Sequence, residues 1–384
     1  MKVLIVHNDY GKPSGEEAVV EKMKTLLEKQ GIEVFYYRCS SETLKDNLAG
    51  KAKGFFSGIY SRGGVRGLRE AIHAHRPDIV NIHNLYPQIS PAALFECKKA
   101  NLPVVMTIHN YRLVCPTGLF MRNGVPCEYC LKKGNEWGCI KFNCEHSKGK
   151  SIGYALRNYT ARVTGAYRKN VDFFACITHF QQKKLIQAGF NEKKIIVIPN
   201  SAETPDSYIP TEGKYIAYAG RLSSEKGFEL LLEVAKRHPQ IEFKFAGEIR
   251  EKIPMPIPKN VQMLGKITQV ELKVFLRDAR FVVIPSRCYE GFPVTILEAA
   301  SMGKTTICPN HGGFTEIIGK GKKSIGILFQ PNNTDDLEKK IIDLWNSPER
   351  AKELGEKAFR KLHSEYNSDE IAKIWKKLLV RMIG

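Results

Sequence analysis

The first 200 residues repeat one pattern, in which a short apolar run rich in β-branched residues precedes a longer, more polar stretch. Six such runs lie at residues 2–9, 33–39, 78–84, 103–110, 172–179 and 194–200. Helical periodicity separates them, most clearly at residues 15–30, 91–100 and 180–188. Strands that alternate with helices predict a parallel, doubly wound sheet.

The pattern stops at residues 199–213 and then restarts. This stretch is polar and contains proline, without an apolar period, which predicts a linker. Five further apolar runs lie at residues 215–220, 241–247, 261–265, 281–286 and 305–309. A chain of 384 residues exceeds what one core usually serves. We therefore expect an α/β protein with two Rossmann-like domains, at residues 1–198 and 214–366.

Two glutamates, Glu290 and Glu298, stand eight residues apart around a Gly-Phe-Pro turn. Pro293 suits the first turn of a helix, and an apolar helical pattern follows it. Glu290 then lies in the loop before the helix, and Glu298 lies about two turns into it. A carboxylate accepts two hydrogen bonds, which suits the cis-diol of a ribose for Glu298 and sugar hydroxyls for Glu290.

A second constellation follows the apolar run at residues 215–219. Arg221 and Lys226 flank the predicted start of a helix near Glu225. Two cations beside a helix N-terminus suit a diphosphate, because Arg forks onto phosphate oxygens and Lys adds a point charge. No Asp-x-Asp pair is positioned to hold a metal ion there.

These two segments resemble the retaining GT-B glycosyltransferases of family 4, whose pattern reads EGFPxxxLEAxAxGxPxIxxxxGGxxE. Residues 290–316 match it nearly throughout, but Thr305 and Thr306 stand where the family usually has Pro-Val. The resemblance implies two domains that face each other across a cleft. It also implies that residues 367–384, which carry an apolar helical stripe, cross back to the first domain.

The resemblance assigns roles to individual residues. It implies sugar transfer from a nucleotide-sugar donor (UDP-, GDP- or ADP-linked) without a metal ion, catalysed by a hexosyltransferase. The implied catalytic residues are His109, Arg221, Lys226 and Glu290. The implied donor-binding residues are Gly15, Arg221, Lys226, Gly247, Gly291, Phe292, Pro293 and Glu298. His83 and Asn84, at the end of the third apolar run, are weaker candidates.

The expected reaction retains the anomeric configuration, by a front-face route in which the leaving phosphate helps to deprotonate the acceptor. We expect this step in the assembly of a bacterial cell-surface glycan on a lipid-linked or glycan acceptor. Two alternatives stay open: a nucleotide-sugar epimerase or hydrolase of the same fold, and a non-catalytic module that binds a glycan or lipid.

The net charge of +19 is uneven. Residues 1–200 hold 30 Lys and Arg against 16 Asp and Glu, which is +14, and the remainder holds 29 against 24, which is +5. The segment from Lys45 to Arg69 has six cations and one acid around Phe55, Phe56 and Tyr60. Aromatic residues among cations favour an anionic membrane surface, although a solvated basic loop has the same composition.

Motifs for other partners and locations are absent from the sequence. There is no RNP, KH, zinc-finger or basic-zipper signature, so we expect no nucleic-acid partner. No apolar run reaches about 18 residues, and residues 1–9 read as a strand rather than a signal peptide. We expect a cytoplasmic protein, peripheral on the inner face of the plasma membrane.

Five of the ten cysteines crowd into residues 115–146, an insert of the first domain. Cys127 and Cys130 form a Cys-x2-Cys pair, and Cys139 and Cys144 follow with a four-residue gap. These four thiols have a spacing compatible with a structural zinc site, and reduced thiols in an inserted loop are the equally open alternative.

Overall fold

The computed structural model describes residues 1–10, 15–43, 48–253 and 256–384. The chain forms two compact units. Unit 1 comprises Met1–Gly118, Glu128–Pro199 and Asp369–Gly384, and unit 2 comprises Leu119–Cys127 and Asn200–Ser368. The cysteine-rich insert is therefore divided between the two units. Ser14, Lys45 and Asp46 lie outside the described residues.

Unit 1 is built on a parallel sheet of six strands in the order β2-β1-β3-β4-β7-β8. Its strands are β1 (Lys2–Asp9), β2 (Glu33–Ser40), β3 (Ile79–Asn84), β4 (Val104–Ile108), β7 (Phe173–Cys176) and β8 (Ile195–Val197). Its helices are α1 (Gly15–Lys29), α2 (Leu48–Ile59), α3 (Arg62–His75), α4 (Leu94–Lys99), α5 (Tyr129–Lys133), α6 (Trp137–Lys141), α7 (Lys148–Thr164), α8 (Ala166–Asn170), α9 (His179–Gln187) and α16 (Ser368–Ile383).

Unit 2 has a second parallel sheet of six strands, in the order β11-β10-β9-β12-β13-β14, and a short antiparallel hairpin of β5 and β6. The strands are β5 (Met121–Arg122), β6 (Val125–Pro126), β9 (Tyr215–Ala219), β10 (Phe243–Ala246), β11 (Val261–Gly265), β12 (Ala279–Val283), β13 (Thr306–Pro309) and β14 (Ile327–Phe329). The helices are α10 (Phe228–Arg237), α11 (Gln269–Arg277), α12 (Val294–Ser301), α13 (Gly312–Ile318), α14 (Thr334–Trp345) and α15 (Pro348–Glu365).

The prediction of two doubly wound parallel sheets is confirmed. Strands β1, β3, β4 and β9 are almost wholly buried, as parallel strands covered by helices on both faces must be. One face of the unit 1 sheet also packs against helix α16. The buried residues of that helix in this core are Ile371, Trp375, Leu378 and Leu379.

The strand orders fix where a ligand can bind in each unit. In unit 2 strand β9 lies at the centre, with β10 and then β11 on one side and β12, β13 and β14 on the other. The direction in which successive strands are added therefore reverses between β9 and β12. In unit 1 the same reversal lies between β1 and β3. Ligands of open α/β sheets bind beyond the carboxyl ends of the strands at this reversal. The residues that follow β9 and β12, and those at the ends of β1 and β3, are therefore the candidates. Within the described part of the chain, no helix is long and apolar enough to cross a membrane.

Candidate active site

The strand reversal of unit 2 brings Lys226 and Glu290 together. The Lys226 Nζ lies 2.6 Å from the Glu290 Oε1, and the Ser286 hydroxyl donates to the same oxygen at 2.8 Å. Burial opposes ionisation of Glu290, but Lys226 and Ser286 hold the pKa of its carboxyl below the ordinary value. Burial likewise lowers the pKa of Lys226, and Glu290 outweighs this and raises it. The pair is therefore charged at neutral pH.

Arg221 follows β9 and stands at the same end of the sheet. Its guanidinium is 45% exposed and lies 3.2 Å from the Glu225 carboxylate. Its carbonyl accepts a hydrogen bond of 2.6 Å from the Tyr218 hydroxyl, which fixes the backbone here. An exposed guanidinium on a fixed backbone can fork onto phosphate oxygens.

The predicted helix start near Glu225 is wrong. Residues Ser224–Lys226 form a single 3-10 turn, and α10 begins only at Phe228. Gly227, in the left-handed conformation, separates the two. Because L-residues with side chains avoid that conformation, the glycine interrupts the helix and leaves Lys226 in the turn that faces Glu290.

Helix α13 contacts and supports the loop that carries Glu290. The Gly313 N–H donates to the Glu290 carbonyl at 3.1 Å. A Cβ at Gly313 would lie 2.4 Å from the Gly291 carbonyl oxygen, so the contact requires glycine. His311, which sequence reasoning did not single out, adds a second support. Its Nε2 lies 3.1 Å from the Ser286 carbonyl oxygen.

The other predicted donor residues of unit 2 lie in this loop, in the helix that follows it, or at the end of β10. Gly291, Phe292 and Pro293 are buried, and Pro293 caps α12, which begins at Val294. Glu298 is the fifth residue of α12, half-buried, and so lies just over one turn into the helix rather than two. Gly247 follows β10, where a Cβ would meet the Gly220 carbonyl oxygen at 1.8 Å.

Unit 1 places a histidine pair at the carboxyl ends of β3 and β4. The His83 Nδ1 lies 2.7 Å from the His109 Nε2, and the two rings stack with centroids 5.0 Å apart. Burial lowers the pKa of His109 to about 4 and the pKa of His83 well below its ordinary value. Both rings are therefore neutral at pH 7, and one donates the shared proton to the other.

A pocket next to this pair adds one residue that sequence reasoning did not single out, Arg112. Its lining includes His83, Asn84, His109 and Arg112. The Arg112 Nη1 donates to the Asn84 Oδ1 at 3.3 Å. The signal available in the sequence was only that Arg112 closely follows an apolar strand.

Two more residues missed by sequence reasoning, His7 and Glu16, lie near the end of β1. His7 is fully buried, and its Nδ1 lies 4.0 Å from the Glu16 Oε1. The other oxygen of Glu16 accepts a hydrogen bond of 2.9 Å from the Tyr10 hydroxyl. Burial raises the pKa of Glu16. A single histidine inside an apolar strand gives no signal in the sequence, because the residues that surround it are brought there by the order of the strands in the sheet.

Gly15 is the first residue of α1, and a Cβ there would meet no atom within 4 Å. Near it, ligand atoms of His7, Asp9 and Glu17 lie within 4.8 Å of one another, a grouping found for no other His, Cys, Asp or Glu in the described ranges. Both acidic side chains already accept hydrogen bonds from other groups of the protein. Arg38 forks onto Asp9, and the Tyr10 N–H donates to Glu17. The group serves as an internal polar network.

The four cysteines predicted to bind zinc are divided between the two units. Cys130, Cys139 and Cys144 belong to unit 1, whereas Cys127 belongs to unit 2. A hydrogen bond with Cys144, followed by burial and the proximity of Cys115 and Cys130, raises the pKa of the buried Cys139 thiol. Cys144, Cys115 and Cys130 thus act on the Cys139 thiol, but no three of the described thiols lie within 4.8 Å of one another.

Comparisons with known proteins identify the family of this chain. Residues 13–204 match the family described as Glycosyltransferase Family 4, and residues 199–361 match Glycosyl transferases group 1. An uncharacterized glycosyltransferase of Methanocaldococcus jannaschii is 26% identical over 296 residues, covering 75% of this chain and 71% of that protein.

A second relative is the poly(ribitol-phosphate) alpha-N-acetylglucosaminyltransferase of Staphylococcus aureus. It is 25% identical over 260 residues, which is 61% of this chain and 51% of that protein. Among solved structures, HepE of Anabaena in complex with UDP-glucose has a TM-score of 0.69 at 16% identity, with 99% of this chain and 100% of that chain covered. The family match spans half of the chain or more, and the two sheets have the GT-B architecture. The chain belongs to the family 4 glycosyltransferases of the GT-B fold.

Proposed function

We propose that this protein transfers a hexose from a nucleotide-sugar donor to an acceptor hydroxyl with retention of anomeric configuration, in the assembly of a bacterial cell-surface glycan. The observation that carries the proposal is the partly buried Lys226–Glu290 pair beside the exposed Arg221 at the strand reversal of unit 2. The S. aureus relative, named for transfer to poly(ribitol-phosphate), supports the class of acceptor.

The donor diphosphate lies against Arg221 and Lys226 in this proposal. Arg221 supplies two parallel N–H donors, and Lys226 supplies an ammonium whose position is fixed by Glu290. Glu298 binds the ribose diol and Glu290 the sugar hydroxyls, while Gly247, Gly291, Phe292 and Pro293 shape the surrounding backbone. In this proposal the two cations take the place of a metal ion beside the diphosphate, while Glu225 and Glu290 keep their contacts with them. The Anabaena structure that contains UDP-glucose favours a UDP-sugar over GDP- or ADP-sugars.

The chemical step is a front-face displacement. The bond between the anomeric carbon and the phosphate oxygen breaks, and the acceptor oxygen bonds to that carbon on the same face. The acceptor proton moves to the leaving phosphate. Arg221 and Lys226 stabilise the charge that grows on the phosphate, and each such donor contributes roughly 3 kcal/mol in comparable sites.

Unit 1 supplies the acceptor side in this proposal. His109 is the catalytic histidine, and its neutral ring presents a hydrogen-bonding nitrogen rather than a positive charge. Gly15 offers the first free backbone N–H of α1 to a phosphate. The acceptor is lipid-linked, and the basic segment from Lys45 to Arg69 keeps the protein on the cytoplasmic face of the membrane. Residues 44–47 of that segment lie outside the described residues.

The cysteine-rich insert holds a structural zinc ion in this proposal. Four thiolates are a common set for such a site. The set read from the sequence was Cys127, Cys130, Cys139 and Cys144. The effect of Cys115 on the Cys139 thiol favours a set in which Cys115 takes the place of Cys127.

The transfer itself is tested with donors that carry a labelled sugar. UDP-, GDP- and ADP-linked forms are incubated with bacterial lipid extract, and the label is followed into the organic phase. We expect transfer from one donor, reduced more than about tenfold in Lys226→Ala and in Arg221→Ala, because each loses a phosphate contact. Lys236→Ala, on the exposed side of α10, is the matched control and should transfer as the native protein does.

Lys226→Ala also removes the ion pair with Glu290, so the melting curve of each variant is recorded to separate lost charge stabilisation from misfolding. Unchanged transfer in Lys226→Ala and Arg221→Ala would refute the assignment. Label that is released only as free sugar would favour the hydrolase. Label that stays on an altered nucleotide sugar would favour the epimerase. Label that stays on an unaltered donor would favour the non-catalytic binding module.

A further inference from the structure

Helix α7 of unit 1 turns its polar side toward the protein interior. Arg157 and Asn158 are buried. The Arg157 Nη2 donates to the Pro116 carbonyl at 2.6 Å, and the Asn158 Nδ2 donates to the Arg112 carbonyl at 2.6 Å. The Arg157 guanidinium also lies over the Tyr86 ring, 4.3 Å from its centroid. Polar side chains therefore anchor this helix.

The outer side of α7 is apolar. Ile152, Tyr159 and Val163 are 38%, 37% and 53% exposed, and Leu156 between them is half-buried. Their spacing of four, three and four residues places them along one helical face. A surface helix of a globular protein normally turns its apolar stripe to the core. The apolar side chains that helix α7 buries are the small ones of Ala155 and Ala161, whereas its larger apolar residues lie on the outer face, which is therefore open to another partner.

Helices α6 and α2 extend the stripe on its two sides. The Trp137 ring of α6, 42% exposed, lies 5.2 Å from the Tyr159 ring. On the other side, Gly153 of α7 allows the Phe55 ring of α2 to pack closely. Next to Phe55, Phe56 is 67% exposed. The α2–α6–α7 surface, as we call it, consists of the exposed residues Phe56, Tyr60, Trp137, Ile140, Ile152, Tyr159 and Val163.

Every charged residue within the three helices is a cation, and Glu136, which directly precedes α6, is buried in an ion pair with Arg162 of α7. Helices α2, α6 and α7 contain no Asp or Glu. Lys141, Lys148 and Lys150 are exposed, and Arg62 at the start of α3 is exposed as well. Apolar and aromatic side chains edged by cations match the acyl and headgroup layers of an anionic bilayer. A second copy of the chain would bring cations against cations, which disfavours self-association.

We infer that the α2–α6–α7 surface docks on an anionic lipid bilayer, with the apolar stripe of α7 in the headgroup–acyl boundary. The inference deepens the proposed function, since it rests on a lipid-linked acceptor. It also explains the polar anchors of α7. Asn158 donates a hydrogen bond to the backbone of Arg112, and Arg157 lies over the ring of Tyr86. Arg112 and Tyr86 both line the pocket beside His109. A helix seated in the membrane thus supports the walls of the pocket that would receive the acceptor.

The test is sedimentation of the full chain with vesicles rich in phosphatidylglycerol and with pure phosphatidylcholine vesicles, at low and high salt. We expect the native protein to bind the anionic vesicles and to lose binding as salt rises. Ile152→Asp/Val163→Asp should bind at least about tenfold more weakly, because two carboxylates oppose insertion. Val270→Asp/Val274→Asp is the matched control on α11 of unit 2, where both valines are exposed. It should bind as the native protein does.

Retained binding in the α7 variant, or equal binding to both kinds of vesicle, would overturn the inference. So would a native dimer, seen by analytical ultracentrifugation, that the α7 variant converts to a monomer, since the partner would then be a second copy. Circular dichroism checks the fold, and Ile152→Ser/Val163→Ser replaces the aspartate variant if that one is unfolded. Nucleotide-induced thermal stabilisation is measured alongside. If it is absent while vesicles still bind, the donor proposal fails and the membrane surface stands.

Discussion

At the scale of single residues, the sequence motif predicts which side chains matter but not how they pair. Glu290 and Lys226 lie 64 positions apart, and each was assigned to a ligand, yet in the structure they bind each other. The pairing depends on β9 and β12 being neighbours in the sheet, which no local pattern reveals. His7, Glu16 and Arg112 were missed for the same reason. His311 had a signal, since it directly precedes the Gly-Gly pair of the recognised motif.

The histidine pair predicts a pH dependence of stability. Burial holds the pKa of His109 at about 4, below the value near 6.5 expected in the unfolded chain. Between these values the unfolded state binds more protons than the folded state. The contribution of His109 to the free energy of unfolding should therefore be present in full above about pH 6.5 and be lost as the pH falls toward 4, by roughly 3 kcal/mol.

Urea denaturation at a series of pH values measures this effect. His109→Asn should show a shallower loss of stability between pH 6.5 and 4.5 than the native protein. His73→Asn, an exposed position on α3, is the control and should keep the native slope. Identical slopes in the native protein and His109→Asn would contradict the neutral state of His109.

At the scale of elements, strands were easier to predict than helix boundaries. Buried parallel strands such as β1 and β9 are continuous apolar runs, so their positions are visible in the sequence. The start of α10 was misplaced because Gly227 adopts a left-handed conformation that composition does not report. Helices α5 and α6 are only five residues long each, too short for a helical period to be recognised.

The cysteine-rich elements predict a bound metal with a specific ligand set. The purified protein should contain about one equivalent of zinc, since structural sites are filled. We expect Cys115→Ser and Cys139→Ser to lose the metal and to melt at a lower temperature, as the native protein should with a chelator. Cys127→Ser is the matched control and should keep its zinc.

Metal analysis with melting curves decides between the possible outcomes. Less than about a tenth of an equivalent of zinc in the native protein would show that the proposed zinc site does not exist. Loss of zinc in Cys127→Ser, with zinc retained in Cys115→Ser, would restore the ligand set predicted from the spacing of the cysteines.

At the scale of the whole molecule, alternation of strands and helices predicted two parallel sheets, while their strand orders could not be predicted. The order in unit 2 places Arg221, Lys226 and Glu290 at one strand reversal, and the order in unit 1 places His7 beside the strand that carries His83. The excess of positive charge in residues 1–200 was visible in the sequence. The outward turn of the apolar stripe on α7 was not, because a stripe does not reveal which side is covered.

The central claim, that unit 2 binds a nucleotide diphosphate through Arg221, Lys226 and Glu298, is tested most directly by thermal unfolding with UDP, GDP and ADP, with magnesium or with EDTA. We expect one nucleotide to stabilise the native protein equally in both conditions. At 100 times its Kd the gain is about 2.7 kcal/mol, a rise of several degrees in Tm. Glu298→Ala should lose this rise, and the exposed Glu349→Ala should keep it. If no nucleotide raises the Tm, or if Glu298→Ala responds as the native protein does, the account of the donor site is contradicted.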